Sequence, residues 1–141
     1  MRSAIVVDPS GALKWVLDED DSHLARALAG RNLAAPDLLW SECANGLWRW
    51  VVRGVLPGHV AHERFAALRR APVALTPAGE LLERALTLAI ELGHPIYDCV
   101  YLALALTLGM PVVSADRRFV NVVRRHAALS VAVVLLAETA H

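Results

Sequence analysis

An imbalance of charge is absent from this sequence. Its 141 residues carry 14 Lys+Arg against 14 Asp+Glu, a formal net charge of +0. Bulk electrostatics therefore gives no argument for a nucleic-acid partner, and a polyanion would have to be held by local patches or bound cations. Cysteine is scarce. Cys43 and Cys99 form no CxxC pair and lie in apolar, helical-looking segments, where a reduced and buried thiol is the usual reading. No HxxxH pair occurs either, which argues against His or Cys ligation of a metal. Long apolar runs are also missing. The longest uncharged stretch, Cys99 to Ala115, is shorter than the ~20 residues of a membrane helix and is broken by Gly109 and Pro111. The first apolar run, Ala4 to Val7, stops at Asp8, so no signal peptide is expected. A cytoplasmic, reducing setting without a membrane partner follows as the expectation. Lysine is limited to Lys14 beside 13 Arg, a bias that genome composition explains as well as function does.

What is present excludes a disordered chain, since 56% of residues are hydrophobic and only 20% charged. A length near ~150 residues predicts one domain spanning 1–141. No repeat or linker divides it. Short apolar runs at 3–7, 33–35, 73–76, 111–114 and 130–136 read as strands. Between them lie helical periods: Leu13, Val16 and Leu17; a segment capped by Ser22 and running to Gly30; and a long helix opened by Pro36-Asp37 and ending near Gly54. Trp40, Ala44, Leu47 and Val51 share a face of that helix. Further helices are predicted over 59–70, over 77–92 with Pro77 in the first turn and Gly93 at the end, over 95–108 closed by Gly109, and over 117–126. Strand–helix alternation of this kind predicts an α/β fold. The expected form is a three-layer α/β/α sandwich around a mostly parallel sheet of about five strands.

In such a sheet, ligands bind beyond the carboxyl ends of the strands. Asp8 directly follows the first strand, Asp116 follows the fourth after two residues, and Asp98 falls in a first helical turn. Glu42 lies about two turns into the Pro36 helix, between Trp40 and Cys43 in mostly apolar company. Taken singly, Asp8 and Asp116 fit helix caps and Asp98 a helix-dipole partner as well as they fit catalysis. Glu42 resists such a reading, because a carboxylate in apolar surroundings needs a partner or becomes neutral. No Lys or Arg lies at helical spacing to neutralise Asp98. Four acids converging on one sheet edge favour a hard divalent cation with oxygen ligands.

The runs Val-Val-Asp8-Pro-Ser10 and Ala-Pro36-Asp-Leu-Leu-Trp-Ser-Glu42-Cys-Ala-Asn45-Gly-Leu resemble the opening half of PIN-domain ribonucleases. Ile-Tyr-Asp98-Cys-Val-Tyr-Leu-Ala-Leu-Ala and Met-Pro-Val-Val-Ser114-Ala-Asp116-Arg-Arg-Phe resemble their closing motif, and the whole is similar to the VapC-like toxins of toxin–antitoxin modules. The resemblance implies that Asp8, Glu42, Asp98 and Asp116 are the catalytic, metal-binding acids, supported by Ser10, Asn45 and Ser114. Ser114 stands where the family more often has Thr, and Cys99 where a small residue is usual. Implied too are Mg2+ (or Mn2+), an RNA substrate cut by metal-activated water to leave a 5′-phosphate and a 3′-hydroxyl, a small antitoxin as partner, and a homodimer.

Weaker signals remain open. Arg49 shares a helical stripe with Glu42 and Asn45 and suits either an RNA phosphate or solvent. Arg117 and Arg118, with Arg124 and Arg125, form the densest basic cluster, again either an RNA contact or a wet face. Trp48 and Trp50 fit either the core or a partner surface. The six histidines are scattered, with surface or helix-end roles expected. The run Asp18-Glu19-Asp20-Asp21 reads as a solvated loop. Two other functions compete with the ribonuclease. A non-catalytic metal-binding α/β interaction module would keep the acids for structure alone. A metal-dependent phosphatase would need a second acid where Ser10 stands.

Overall fold

Five short runs of Val, Leu and Ala pair into one sheet in the computed structural model, which describes residues 4–140. The strands are β1 (Ala4–Val7), β2 (Asn32–Pro36), β3 (Val73–Thr76), β4 (Val112–Ser114) and β5 (Val133–Leu135). Their order is β3-β2-β1-β4-β5, with every pairing parallel. Central strands of a parallel sheet are covered on both faces, which is why β1 and β4 are apolar runs without polar alternation. Ile5 pairs with Leu33 and Val6 with Val112, and these side chains are fully or almost fully buried.

Seven α-helices connect the strands: α1 (Pro9–Ala12), α2 (Ser22–Leu28), α3 (Leu39–Val52), α4 (Gly58–Leu68), α5 (Leu82–Leu92), α6 (Ile96–Leu108) and α7 (Arg117–Arg124). The chain steps outward from β1 to β2 and β3, then returns across the sheet to β4 and β5. Right-handed crossovers in opposite directions cover opposite faces, giving three layers. The α6 helix packs on β1, β2 and β4, and every residue from Cys99 to Ala105 is buried, so it is apolar all round. Gly93 and Gly109 close α5 and α6 in the left-handed conformation (φ 63° and 67°). Both cysteines are free and buried. Among the described residues, no helix is long and apolar enough to cross a membrane.

Several boundaries differ from the sequence reading. Pro36 does not open a helix but ends β2, paired with Thr76, and α3 starts at Leu39. The buried stripe of α3 is Leu39, Cys43 and Leu47, one step round from the expected Trp40 face. The other side, including Ala44 and Val51, turns toward α4. Ser22 is no N-cap. Its buried hydroxyl accepts from the Glu19 amide and donates to the Leu17 carbonyl, tying down the loop before α2. Pro77 precedes a separate 3-10 turn, Ala78–Glu80, rather than entering α5. The last strand is only Val133–Leu135, between 3-10 turns at Ala127–Ala132 and Leu136–Thr139. Among the described residues its one strand neighbour is β4, which has three residues, so the rest of the apolar run finds no strand there to pair with. There Ser130 and Thr139 hydroxyls bond back to the carbonyls of Ala127 and Leu136.

Candidate active site

Strand order reverses between β1 and β4, and that crevice is where parallel sheets place ligands. Asp8 leaves the end of β1 and is almost fully buried, with 3% of its surface exposed. Its Oδ1 accepts from the Gly11 amide at 3.0 Å, capping α1, and from the Ser10 hydroxyl at 2.7 Å. Ser10 in turn accepts from the Ala115 amide (3.0 Å) and lies 3.3 Å from the fully buried Ser114 hydroxyl. Ser114 Oγ also accepts from the Asp116 amide at 3.1 Å. The ends of β1 and β4 are thus joined by two hydroxyls. Asp116 caps α7, its Oδ1 accepting from the amides of Arg118 (3.0 Å) and Phe119 (3.2 Å).

The other two acids ride on helices. Glu42, half-buried in the first turn of α3, accepts from the Tyr101 hydroxyl of α6 at 2.7 Å. Asp98, in the first turn of α6, has its Oδ2 2.6 Å from His94 Nε2. Neither partner was anticipated. His94 takes a helix-end place, between α5 and α6, as expected of the histidines, but its side chain is buried against Asp98, and Tyr101 is fully buried. The spacing of His94 four residues before Asp98 was the available signal, but Pro95 between them reads as a helix break. Nothing local links Tyr101 to Glu42.

The structure brings Asp8, Glu42 and Asp98 within electrostatic reach of one another. Burial raises the Asp8 carboxyl to about 6 against the pull of the Ser114, Ser10 and Gly11 donors, and Asp98 adds to the rise. Glu42 is raised first by burial, then by the charges of Asp98 and Asp8, with the Tyr101 bond opposing. The charges acting on Glu42 are both negative. Burial beside these acids also pushes the thiols up, Cys43 to about 12 and Cys99 to about 11, so neither is a nucleophile. Asp116 is not among the leading charges acting on Asp8 or Glu42. Among the described residues, no three His, Cys, Asp or Glu side chains form a ready-made metal cage. Each acid instead turns to its own protein donor. All four offer oxygen, the donor chemistry of hard divalent cations.

The supporting residues divide. Ser10 and Ser114 lie within the Asp8 network, whereas Asn45 is exposed and bonded to none of the acids. Arg49, Arg117 and Arg118 are exposed and outside the ion pairs of the described residues. Trp48 is 60% exposed and, with Leu47 and Val51, lines a groove of about 280 Å³ against Phe65 of α4, while Trp50 is half-buried. The acidic loop is only partly solvated, because Lys14 reaches Glu19 (3.2 Å) and Asp21 (2.8 Å).

A PIN-domain family model matches residues 5–125. The protein "VapC ribonuclease Mb0985" of Mycobacterium bovis is 35% identical over 114 residues, covering 81% of this chain and 87% of its own. "Ribonuclease VapC3" of Pyrobaculum aerophilum is 33% identical over 118 residues, or 81% of this chain and 90% of its own. The crystal structure of PAE2754 from the same organism matches with a TM-score of 0.66 over 98% of each chain, at 22% identity, a likeness of fold. With the fold in place and the sequence pattern running through most of its length, the chain belongs to the PIN-domain family, among the VapC ribonucleases.

Proposed function

We propose that this protein is a divalent-cation-dependent endoribonuclease, the toxin of a toxin–antitoxin pair. The observation that carries this reading is the mutual charge of Asp8, Glu42 and Asp98 at the switch point, with no Lys or Arg ion pair to any of them among the described residues. Kinship to proteins named as VapC ribonucleases supports the choice of RNA. Asp8, Glu42 and Asp98 would hold Mg2+ or Mn2+, with Asp116 as the outer acid, keeping Oδ1 on the α7 cap. A cation held there would supply Lewis acidity, for a water of lowered pKa and for the charge of the phosphate.

The protein's own residues orient the site. Ser10 and Ser114 lock the Asp8 carboxylate, and Tyr101 directs Glu42 toward the crevice between α3 and α6. Arg117 and Arg118, exposed beside Asp116, would grip the RNA backbone, and Arg49 would extend that contact along α3. A small antitoxin protein and a second copy of the chain are the proposed partners. Trp48 and its groove are the surface this reading assigns to one of them.

The test incubates wild-type protein and Asp98→Asn with total RNA, with and without Mg2+ or Mn2+. Discrete fragments from wild type alone, bearing 5′-phosphates and lost in EDTA, are expected. A folded wild type that binds Mn2+ yet cuts no RNA would point instead to a metal-binding interaction module.

A further inference from the structure

His94 lies outside the acidic set, yet its surroundings are built to hold it still. Its backbone is pinned between two helices: Gly93 ends α5 in the left-handed conformation, Pro95 caps α6, and the His94 amide donates to the Ala89 carbonyl at 3.2 Å. The ring stacks against Phe119, with centroids 5.4 Å apart and planes tilted by 33°. Phe119 is fully buried on α7, and its amide is one of the two held by Asp116. Only 8% of the His94 side chain is exposed, against 31% for Asp98. The single contact between them is the 2.6 Å approach of Nε2 to Oδ2.

We propose that His94 is a positioning residue that fixes Asp98 for the cation by holding Oδ2 from a ring clamped on Phe119. The inference rests on the cation site proposed above. With Asp98 ionised, Nε2 carries the proton and donates, which leaves Oδ1 without a bond among the described residues. A free Asp side chain in a first helical turn samples several rotamers, and selecting one at each binding event costs affinity. A donor already locked by packing removes that cost, as outer partners of metal-binding residues do elsewhere. The same ring touches the α7 cap through Phe119, so His94 also sets α6, which carries Asp98, against the helix capped by Asp116.

Two variants separate the donor from the packing. His94→Gln places an amide N–H near the position of Nε2, while His94→Phe keeps an aromatic ring on Phe119 and loses the donor. Calorimetric titration with Mn2+, without RNA and at one fixed pH, reads the affinity, and thermal melts in EDTA read the fold. The expected result is affinity weakened about 10- to 100-fold in H94F, with a melt close to wild type, and affinity within about threefold of wild type in H94Q. If H94F does not fold, His94→Asn replaces it, since its shorter amide falls short of Oδ2 and should lose affinity in the same way. Wild-type affinity in a folded H94F or H94N overturns the role of His94. A wild type that takes up no Mn2+, or an Asp98→Asn variant that binds as tightly, overturns the cation site itself and this inference with it.

Discussion

Asp8 and Asp116 leave the ends of strands, whereas Glu42 and Asp98 ride on helices, and the two pairs are held by different means. The strand-end acids accept mainly from amides and hydroxyls within three residues: Gly11 and Ser10 for Asp8, Arg118 and Phe119 for Asp116. The helix-borne acids depend on aromatic rings buried elsewhere, Tyr101 for Glu42 and His94 for Asp98. Local caps form with the turn itself and survive small movements of the layers. Side-chain clamps last only while α3, α6 and α7 keep their packing. The strand half is therefore set by the sheet, and the helix half by the core around α6.

Removing charge from the strand half should give the largest effect. Asp8→Asn keeps the oxygen that accepts from Gly11 and Ser10 but takes away a buried charge whose carboxyl is raised to about 6. Cleavage should drop at least about a hundredfold. Stability in EDTA at pH 7 should rise, by about 3 kcal/mol from the shift alone. The sign follows from linkage: between about pH 4 and pH 6 the folded state binds more protons than the unfolded one, so metal-free stability falls as pH rises through that window. Melts in EDTA across pH 4 to 7 should show the fall in wild type and largely lose it in Asp8→Asn. A variant that is less stable than wild type at pH 7 would break the view that the strand half is a charge held in place by its cap.

In the helix half the clamp itself is the target. Tyr101→Phe leaves Glu42 Oε1 without its 2.7 Å donor while preserving the ring in the core. The net loss of one charge-assisted bond is about 1.5–3 kcal/mol, read by denaturant midpoint, and cleavage should fall alongside. Should Tyr101→Phe leave activity intact, Glu42 would be held by α3 alone and the contrast between the halves would vanish.

That contrast also marks what could be read from the sequence. Asp8 and Asp116 were legible as caps, because the same short segments that end the strands supply their donors. The place of Asp98 in a first helical turn was legible too, whereas Glu42, expected two turns into a helix opened by Pro36, lies in the first turn of α3, and the partners of both went unread. Tyr101 lies 59 positions from Glu42 and meets it only across the packed layers. The sheet was legible because buried parallel strands are short apolar runs with turns after them. The phase of α3 was not, since its apolar residues almost encircle it and only the neighbouring α1 and α4 decide which side is core.

The junction of the two halves can be probed at Gly46. A Cβ there would come within 2.5 Å of Leu13 Cδ1, so α3 rests directly on the turn that follows Asp8 and α1. Gly46→Ala should gain about 1 kcal/mol of helix propensity but lose about 1–3 to crowding. A net loss near 1 kcal/mol in urea midpoint is expected, with Leu13 rotating aside. Cleavage should decline more than stability, because Glu42, one turn earlier on α3, shifts relative to Asp8. Equal losses in both would mean that α3 and the strand ends move together.

The smallest effect belongs to an exposed pair that bonds none of the four acids. Glu138 takes Arg124 Nη1 at 2.8 Å and the Leu135 amide at 3.1 Å, and these bonds, Arg124 first, lower its carboxyl to about 2. A lowered carboxyl contributes stability above its unfolded value near 4.5, and that contribution is lost as pH falls from there toward 2. Glu138→Gln should therefore shift the melt only slightly at pH 7 and not at all near pH 2, and added salt should shrink the shift further, because the pair is solvent-exposed. Cleavage should be unchanged. The direction of its pH dependence is opposite to that of Asp8: the exposed pair gains stability as protons leave, while the buried acid loses it. Two variants with opposite slopes in one titration distinguish a carboxylate satisfied by the protein from one whose charge is left waiting for a cation.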